Sequence, residues 1–559
     1  MKKIYLLVVG LIAAFSLEAA DINVSDADIN TGDTVTWTKD NVYFLTERVF
    51  VDSGAVLNIE AGTVVRGNPG TGSNATALIV ARGGQIFARG SYFDPIIFTA
   101  ANDDLANPVD IRPGTKGLWG GLIILGNASL NSTPGSTEIE GLPSGDARSQ
   151  YGAFPNGDTN DDDNSGVINY VSIRYGGASI APNNDINGLT LGGVGRGTTV
   201  DYVEVIFNFD DGVEFFGGTV NTKHLLVAFC GDDSYDYDEG FRGKGQFWVA
   251  IQSDTTGDRC GEHDGGTKPE TAQPYATPEI YNATYIGRGG GSGKRMITFR
   301  DNAGGVYCNS IFVDQDKGID IEILGTGTDC YDRYKAGELK LENNIFWNVG
   351  GNAPLEIFKM SPDKFNGAPD SLQVVSSSEN DIQMYFANAN NINQDPLFGS
   401  LTSNSRAIGQ NALDLRPSSA GPAYTTSLTP YSDPWFTPVN YKGAFAEHGS
   451  FWIRGWTFME QLGYFSTTVS NTPALNENFV VLPNPATNLF EVTAEGVTGD
   501  VAVLSLVDLN GRVVLSQEAA IAGNKLNATM NIESLSAGIY MLQASVNGAT
   551  VATKKVVKQ

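Results

Sequence analysis

Short runs of alternating apolar and polar residues, separated by glycines, dominate the first part of the chain. Residues 49–65 and 77–90 follow this pattern, and 95–99 adds another apolar run. A period of two residues indicates short strands, and the glycines indicate tight turns. Three such strands per turn, wound and stacked, form a parallel β-helix in which each coil completes its core against its neighbours. The pattern therefore predicts an all-β, right-handed parallel β-helix.

An internal repeat supports a stack of coils. The residues around Asp210 and Glu214 return 22 positions later, around Asp232 and Asp236. This spacing is typical of one β-helix coil, and equivalent residues of adjacent coils should lie about 4.8 Å apart. Like side chains are therefore expected to form columns.

Later coils carry related strands, interrupted by insertions. The strands begin at Asn282, Asn309 and Asn343, and we expect these asparagines to stack as an inward, hydrogen-bonded ladder. Segments rich in glycine, aspartate and proline at 101–165 and 253–278 should project as loops.

The final part of the body departs from the coil pattern. Residues 21–400 are predicted to be the β-helix with its inserted loops, whereas 401–469 is rich in aromatic residues. Because the last coil of a solenoid has an apolar end, we predict that 401–469 caps it. Exposed aromatics that bind sugar rings are the alternative.

The N-terminus has the pattern of a signal peptide, assigned to residues 1–20. Lys2 and Lys3 precede an apolar run at 4–15, and small residues follow. No other run in the sequence is long and apolar enough for a transmembrane helix. We therefore expect a mature chain that is soluble or surface-attached, in an oxidising compartment, without a membrane-spanning segment.

Residues 470–559 should form a separate domain. A polar linker at 470–477 precedes alternating strands, which predicts a small β-sandwich. Its motifs are Pro483-Asn484-Pro485-Ala486, Asp508-Leu509-Asn510-Gly511-Arg512, Leu535-Ser536-Ala537-Gly538-Ile539-Tyr540 and Lys554-Lys555-Val556-Val557-Lys558. With these motifs the segment resembles the type A C-terminal sorting domain of type IX secretion cargo.

The resemblance of this domain implies a route and a partner. It implies passage through the outer membrane after Sec export, with the type IX machinery as partner, and then removal of the domain with release or surface attachment. The body resembles exported bacterial β-helix proteins of undefined role, on residues 210–218, 441–445 and 455–457. That second resemblance implies no activity.

The net charge and the cysteine content bear on the binding partners and on disulfide formation. The 559 residues carry a formal net charge of −27, which disfavours nucleic acid and anionic lipid as partners. Four cysteines in an exported chain suggest two disulfides, with Cys308 and Cys330 bridging adjacent coils and Cys230 pairing with Cys260.

Stacked carboxylates are the candidate site. The sequence predicts a calcium site, because crowded carboxylates repel one another unless cations, protons or solvent intervene. The candidate ligands are Asp210, Asp211, Glu214, Asp232, Asp233 and Asp236. The alternative is that they are solvated turn residues at coil corners. A run at 158–164 has the oxygen spacing of a calcium loop but lacks the glutamate at its twelfth position.

Catalysis is the other interpretation of these carboxylates. Gly231-Asp232-Asp233, with Asp211 one coil earlier, resembles part of the polygalacturonase-like glycoside hydrolase motif, so Asp211, Asp232 and Asp233 are the candidate catalytic residues. That family's Gly-His-Gly and Arg-x-Lys motifs are missing, and His263 is a poor match. A polysaccharide lyase would need a base such as Arg242 or Lys244.

We favour a non-enzymatic secreted or cell-surface protein. It would bind or adhere to extracellular polysaccharide or cell-surface glycan, or have a structural role, with calcium as the sole expected cofactor and stiffening ion. The alternative is a polysaccharide-active enzyme, either a glycoside hydrolase or a lyase.

Overall fold

A computed structural model describes residues 20–559 except 183, 267–268, 325–327, 353–356, 362–379, 387, 403–405, 407, 448–450, 466–478, 498–500, 509–512 and 547–548. The expected signal peptide except Ala20, the linker at 470–477 and most of the 508–512 motif lie outside the described residues. None of the helices described is long and apolar enough to cross a membrane.

The body is a right-handed parallel β-helix, as predicted, with its strands stacked in three rows. Row one contains β2 (Thr34–Trp37), β5 (Val56–Ile59), β8 (Gln85–Arg89), β21 (Lys244–Gln246), β24 (Glu279–Tyr281), β27 (Gly305–Cys308) and β30 (Leu339–Glu342). Row two contains β1 (Ala20–Val24), β3 (Asn41–Leu45), β6 (Val64–Gly67), β9 (Ile96–Ala100), β22 (Val249–Ile251), β25 (Thr284–Gly289), β28 (Ile311–Gln315), β31 (Ile345–Val349) and β33 (Ile392–Asn393).

Three long strands join these two rows, and a third row completes the coils. The long strands are β13 (Gly166–Arg174), β17 (Thr199–Ile206) and β19 (Asn221–Ala228). Row three contains β4 (Arg48–Val51), β7 (Ala77–Val80), β10 (Leu122–Leu125), β16 (Leu189–Gly192), β18 (Val213–Phe216), β20 (Tyr235–Asp238), β23 (Gly261–Asp264), β26 (Arg295–Arg300), β29 (Lys317–Glu322) and β32 (Phe358–Ser361).

Shorter elements lie outside the rows. The antiparallel pairs are β11 (Ser136–Glu138) with β12 (Gln150–Gly152), β14 (Ser179–Ala181) with β15 (Asn184–Asp185), and β34 (Phe398–Ser400) with β35 (Asp414–Pro417). The helices include α1 (Cys330–Lys335), α2 (Pro422–Thr425) and α3 (Phe458–Gln461), and residues 380–386 are also helical. Single 3-10 turns lie at Asp26–Asp28, Gly72–Asn74, Ala147–Ser149 and Gly350–Asn352.

The register confirms the coil spacing in the acidic region. Glu214 of β18 pairs with Asp236 of the parallel strand β20. The backbone N–H of Asp233 donates to Asp211 Oδ1 at 2.8 Å across the same step. Asp211 and Asp233 therefore lie on adjacent coils, as the repeat predicted.

Inward side chains build one continuous core. On row three the inward positions are apolar or aromatic, and Phe215 and Tyr235 are fully buried. Their rings stack on Trp248, which lies between β21 and β22, with centroids 5.4 and 4.7 Å apart. Burial of several large rings per coil is the main stabilising contribution, since each removes a large apolar area from water.

Single residues in the left-handed conformation form the corner between rows one and two. The residues are Tyr170, Tyr202, His224, Phe247, Asn282, Asn309 and Asn343, with φ between 47° and 59°. The first four rings stack successively, with centroids 4.4, 4.2 and 5.0 Å apart. A positive φ turns the chain without a loop, so the coil remains short.

The asparagines of this corner do not form the predicted inward ladder. Asn309 Nδ2 donates to the carbonyl of Thr429 at 2.9 Å, and its Oδ1 accepts the N–H of Thr429 at 2.8 Å. The left-handed corner directs the amide toward this outer segment. The coil-to-coil bond comes from the neighbouring position, where Ser310 N donates to Asn344 Oδ1 at 2.8 Å.

Residues 421–447 and 451–465, here called the flank segment, run along this corner. Thr437 exchanges two hydrogen bonds with the Gln246 amide, each of 2.8 Å. Trp452 packs edge-on against His224 at 5.2 Å, and the Phe458 N–H donates to Glu204 at 2.7 Å. The expected cap therefore covers the side of several coils, because this corner supplies both aromatic and amide partners.

The four cysteines are free and buried, in contrast to the expected disulfides. Cys308 pairs with Glu342 of the next coil, because an insertion lengthens the coil at this point. Cys330 begins α1 and is not in register with Cys308. The N–H of Tyr235 bonds the carbonyl of Cys260, which places Cys260 in register beside Tyr235 rather than Cys230.

The C-terminal domain is an antiparallel sheet with its own core. Its strands are β36 (Val480–Leu482), β37 (Leu489–Glu495), β38 (Val501–Val507), β39 (Val513–Ala522), β40 (Lys525–Asn531), β41 (Gly538–Val546) and β42 (Ala549–Lys558). Asn484 Nδ2 donates to the Lys555 carbonyl at 2.6 Å, and Ala486 N donates to that of Val557 at 2.8 Å. The first and last sequence motifs of this domain are therefore in contact.

Candidate functional site

The outer face of row three changes character along the β-helix. In the first coils it is apolar and lies beneath the insertion that carries β11 and β12, where Phe50, Ile79 and Ile123 pack against Ile139 and Tyr151. Beyond this insertion the same face becomes acidic. The register aligns Glu214 with Asp236, then Glu262, Thr298 and Asp320. Alternation along each strand places these side chains outward, opposite the buried rings.

Three carboxylates on this face form a compact group, here called the buried trio: Asp211, Glu214 and Asp236. One oxygen from each lies within 4.8 Å of the others. Their exposed fractions are only 8%, 6% and 9%. Asp211 and Glu214 belong to one coil and Asp236 to the next, so the trio spans a coil step.

Hydrogen bonds satisfy this trio incompletely. Asp211 accepts the Asp233 N–H, and Glu214 Oε2 accepts a bond from the Asn187 side chain. Asp236 Oδ1 has no hydrogen-bond partner among the described residues, and neither does Asn187 Oδ1. No member of the trio makes an ion pair within the described part of the chain. A buried carboxylate without a partner is costly, which makes this group a candidate for a bound cation.

Crowding and burial perturb the acidity of the trio. Burial raises the pKa of Asp211, Glu214 and Asp236 well above the ordinary range, and neighbouring carboxylates raise each further. At Glu214, Glu140 from the insertion is the largest contributor to the rise in pKa after burial. Both effects favour the protonated carboxyls, and a bound cation would favour the ionised ones.

A second group, Asp210, Asp211 and Asp232, lies nearer the solvent. Its oxygens are also within 4.8 Å of one another, and Asp232 is exposed. Burial, followed by repulsion from other carboxylates, raises the pKa of Asp210 to about 7. Asp210 can therefore hold or release a proton near neutral pH.

The carboxylates of the following coils have basic partners. Arg259 Nη1 lies 3.4 Å from both Asp233 and Asp258 and 2.8 Å from Glu262. Arg300 lies 2.6 Å from Asp264. These charges are compensated within the chain, so they give little reason to expect a metal.

The candidate catalytic residues fall into two environments. Asp211 and Asp232 lie together in the outer group. Asp233, 2% exposed, accepts a backbone bond from Arg259 and pairs with its guanidinium. This binding holds Asp233 at a coil corner and leaves it little access to a substrate.

The other candidate side chains have structural roles. His263 points into the core, stacked on Tyr237 at 4.0 Å, and burial lowers its pKa to about 3. Arg242 contacts Asp161 at 3.1 Å, and Lys244, on row one, pairs with Asp433 at 3.1 Å.

In the candidate calcium loop at 158–164, carboxylates bond other groups of the protein. Asp161 accepts the Ser129 N–H at 2.9 Å and pairs with Arg242, while Asp162 pairs with Arg196 at 2.9 Å. These arginines supply the positive charge that the loop pattern had suggested for calcium.

Sequence reasoning missed several residues of the site. Glu140 and Asn187 approach Glu214 from an insertion and from the preceding coil, with 3.4 Å between Asn187 Nδ2 and Glu140 Oε1. Arg259 was also missed, although it stands next to Asp258 in the sequence. The repeat reveals only residues in equivalent positions, and these three have no counterpart in it.

Comparisons with known protein families cover most of the chain. Residues 28–384 match the model described as a pectate-lyase-like β-helix domain. Residues 480–559 match the model described as a secretion system C-terminal sorting domain. No curated protein matches the chain.

Two solved structures of a phage tailspike show low similarity. Full-length tailspike protein 2 of an Escherichia coli O157:H7 bacteriophage is 10% identical, with 93% of this chain and 59% of that chain covered and a TM-score of 0.21. The enzymatically active domain of bacteriophage CBA120 tailspike protein 2 is 11% identical, with 92% and 72% covered and a TM-score of 0.19. The chain thus spans less than two thirds of the full-length tailspike, and at these scores the similarity carries no argument about function.

Proposed function

Because the chain belongs to the pectate-lyase-like β-helix domain family and its sorting domain indicates type IX secretion to the cell surface or extracellular space, we propose a non-enzymatic binding or structural role there. In this role the protein is a rigid rod that presents the acidic face of row three. One calcium ion, held by the buried trio, ties two coils together. The sorting domain engages the type IX machinery, and the acidic face engages extracellular glycan.

The buried trio carries the calcium part of the proposal. Asp211, Glu214 and Asp236 bring carboxylate oxygens within 4.8 Å of one another, almost excluded from water and without an ion pair among the described residues. Calcium prefers six to eight oxygen ligands, and carboxylates are the most common. An ion here would offset the negative charge of carboxylates from both coils. It would also coordinate Asp236 Oδ1, which has no hydrogen-bond partner among the described residues.

Two features of the acidic face favour binding over catalysis. Asp233 is held by Arg259, and Asp211 bonds the backbone of the next coil. A lyase would also need a free base, whereas Arg242 and Lys244 pair with acidic residues elsewhere. The carboxylates of this face are then fixed hydrogen-bond acceptors, and such acceptors suit the recognition of hydroxyl-rich ligands.

A polysaccharide-active enzyme, either a glycoside hydrolase or a lyase, is the second candidate. Asp210, with a pKa near 7, has the protonation expected of a general acid. Its carboxylate oxygen lies within 4.8 Å of one on Asp232. Inverting hydrolysis needs roughly 6.5–9.5 Å between the two carboxyls, so this group fits the closer spacing of a retaining mechanism better.

Thermal unfolding with and without calcium tests the primary proposal. Calcium should raise the melting temperature of the wild-type protein over its value in EDTA. Free calcium at 100 times its Kd adds about 2.7 kcal/mol to the free energy of unfolding. Asp236→Asn should lose most of this increment, because it removes the unpartnered ligand.

Asp258→Asn is the matched control for this experiment. It removes a carboxylate close to Asp232 and Asp233, but one that already pairs with Arg259 and Lys294. The control should keep the calcium increment of the wild type. An identical melting temperature in calcium and EDTA, or an Asp236→Asn protein with the full increment, would contradict the proposal.

A further inference from the structure

A cleft of about 350 Å³ opens beside β4, at the end of row three that lies away from the acidic face. In row three, β7, β10 and β16 separate β4 from β18 and its acidic residues. The volume is within the range of ligand sites in proteins, about 300–1,000 Å³. Charged and polar side chains form most of the lining, and the charged ones are Arg48, Arg148, Asp26, Glu47 and Asp146. Such a lining suits a polar ligand.

Arg148 holds the acceptors of this cleft in place. Its guanidinium lies over the Phe50 ring, 4.0 Å from the centroid. It contacts Asp26 and Asp146 at 2.9 Å each, and Asp52 at 3.4 Å. The hydrogen bond from Arg148 lowers the pKa of Asp146, so this carboxyl is ionised at neutral pH. The cleft therefore presents ionised acceptors in fixed positions.

Arg48 carries donors that no described residue uses. Its Nη1 donates to the Ser73 carbonyl at 2.9 Å, and this is the single hydrogen bond of the Arg48 side chain within the described part of the chain. A guanidinium has five N–H donors, so most of them remain available to a ligand. The exposed Asn74, which lines the same cleft, also makes no side-chain hydrogen bond to the described residues. Unused donors and fixed acceptors therefore face one space.

A smaller hollow of about 110 Å³ continues this cleft and adds apolar surface. Leu142 and Pro143 line it, and it shares Arg48 and Asp146 with the larger space. A sugar ring presents hydroxyls, each of which can donate and accept a hydrogen bond, next to apolar C–H groups. The combination of acceptors, donors and a small apolar wall matches this chemistry.

We propose that this cleft binds a neutral pyranose unit of an extracellular polysaccharide. The inference rests on the proposed binding function and adds a second contact for the same class of ligand. Hydroxyls of the sugar donate to Asp146 and accept from Arg48 and Asn74, and its C–H groups lie against Pro143. A sugar carboxylate is disfavoured, because the lining has three carboxylates and two guanidinium groups in a chain of net charge −27.

Affinity electrophoresis in gels that contain soluble polysaccharide tests this cleft. Galactomannan, β-glucan and dextran serve as neutral probes and polygalacturonate as the acidic one, and mobility without polysaccharide is the reference. At least one neutral probe should retard the wild-type protein. Arg48→Gln should bind that probe about tenfold more weakly, the usual effect of losing a hydrogen bond from a charged donor. Asn74→Ala should bind about three- to tenfold more weakly, and its exposed side chain can be removed without loss of a described hydrogen bond.

Arg112→Gln is the matched control, because it makes the same charge change at an exposed arginine outside the cleft. It should bind like the wild type. Unchanged binding by both Arg48→Gln and Asn74→Ala, or an equal loss in Arg112→Gln, would overturn the cleft and leave glycan binding by the acidic face intact. Retardation by polygalacturonate alone would also overturn the cleft. No retardation by any probe would overturn both the cleft and the glycan part of the proposed function, whereas the calcium increment in melting temperature should persist in Arg48→Gln.

Discussion

Without divalent cations, the folded protein should become less stable as the pH rises from about 6.5 to about 8. The pKa values of Asp211, Glu214 and Asp236 are raised, first by burial and then by neighbouring carboxylates. A group with a raised pKa keeps its proton in the folded state after the unfolded chain has lost it. Its stabilising contribution is complete below the unfolded pKa, about 4, and is lost as the pH rises through the folded pKa.

The size of this loss follows from the number of protons retained. Each proton held only by the folded state contributes about 1.4 kcal/mol per pH unit. If one or two of the trio's carboxyls stay protonated, stability falls by about 2 to 4 kcal/mol across the window. His263 has the opposite effect, because its pKa is lowered to about 3 by burial. That effect ends near pH 6.5, where a histidine in the unfolded chain becomes neutral.

Urea unfolding at several pH values, in EDTA and in excess calcium, measures the effect. If calcium binds the ionised carboxylates as proposed, stability in calcium should vary little across the window. In EDTA, Asp236→Asn should reduce the slope of unfolding free energy against pH by the amount that corresponds to about one proton. Asp258→Asn should retain the slope, since its carboxylate is paired with Arg259. Stability in EDTA that stays level or rises with pH, or an unchanged slope in Asp236→Asn, would refute the reasoning.

Two further predictions concern the flank segment and the outer carboxylates. Glu204→Gln should destabilise the protein by about 3–5 kcal/mol in urea unfolding and speed proteolysis of the flank segment, because buried Glu204 faces Arg174 and accepts the N–H groups of Phe458 and Met459. The exposed Glu60→Gln control should change neither. If the protein is a glycosidase, Asp210→Asn should lower the release of reducing ends by about 100-fold or more. A wild-type protein that releases no reducing ends or unsaturated products from neutral and uronate polysaccharides would eliminate the enzyme candidate.

The coil geometry was predictable because it is local and repetitive. The alternation of apolar and polar residues indicates which side chains point inward, and the spacing of Asp210 and Asp232 indicates one coil. Parallel pairing then carries the same register from strand to strand, as at Glu214 and Asp236. The adjacency of Asp211 and Asp233 follows from this repetition.

The prediction failed where an insertion changed the length of a coil. Cys308 and Cys330 are 22 residues apart, but the coil that contains Cys308 pairs it with Glu342. The aromatic segment after residue 400 likewise carried no local signal for its position. It lies on the left-handed corner because Glu204, Gln246 and Asn309 bond its backbone there.

By itself the sequence determined the β-helix, the sorting domain and the column of carboxylates, because each depends on residues close together or regularly spaced. The tertiary structure decided which carboxylates are compensated. Arg259 and Arg300 neutralise carboxylates of the later coils, whereas the insertion and the preceding coil bring the acidic Glu140 and the neutral Asn187 to Glu214. Charge compensation depends on distances between segments far apart in the chain, and periodicity contains no information about those distances.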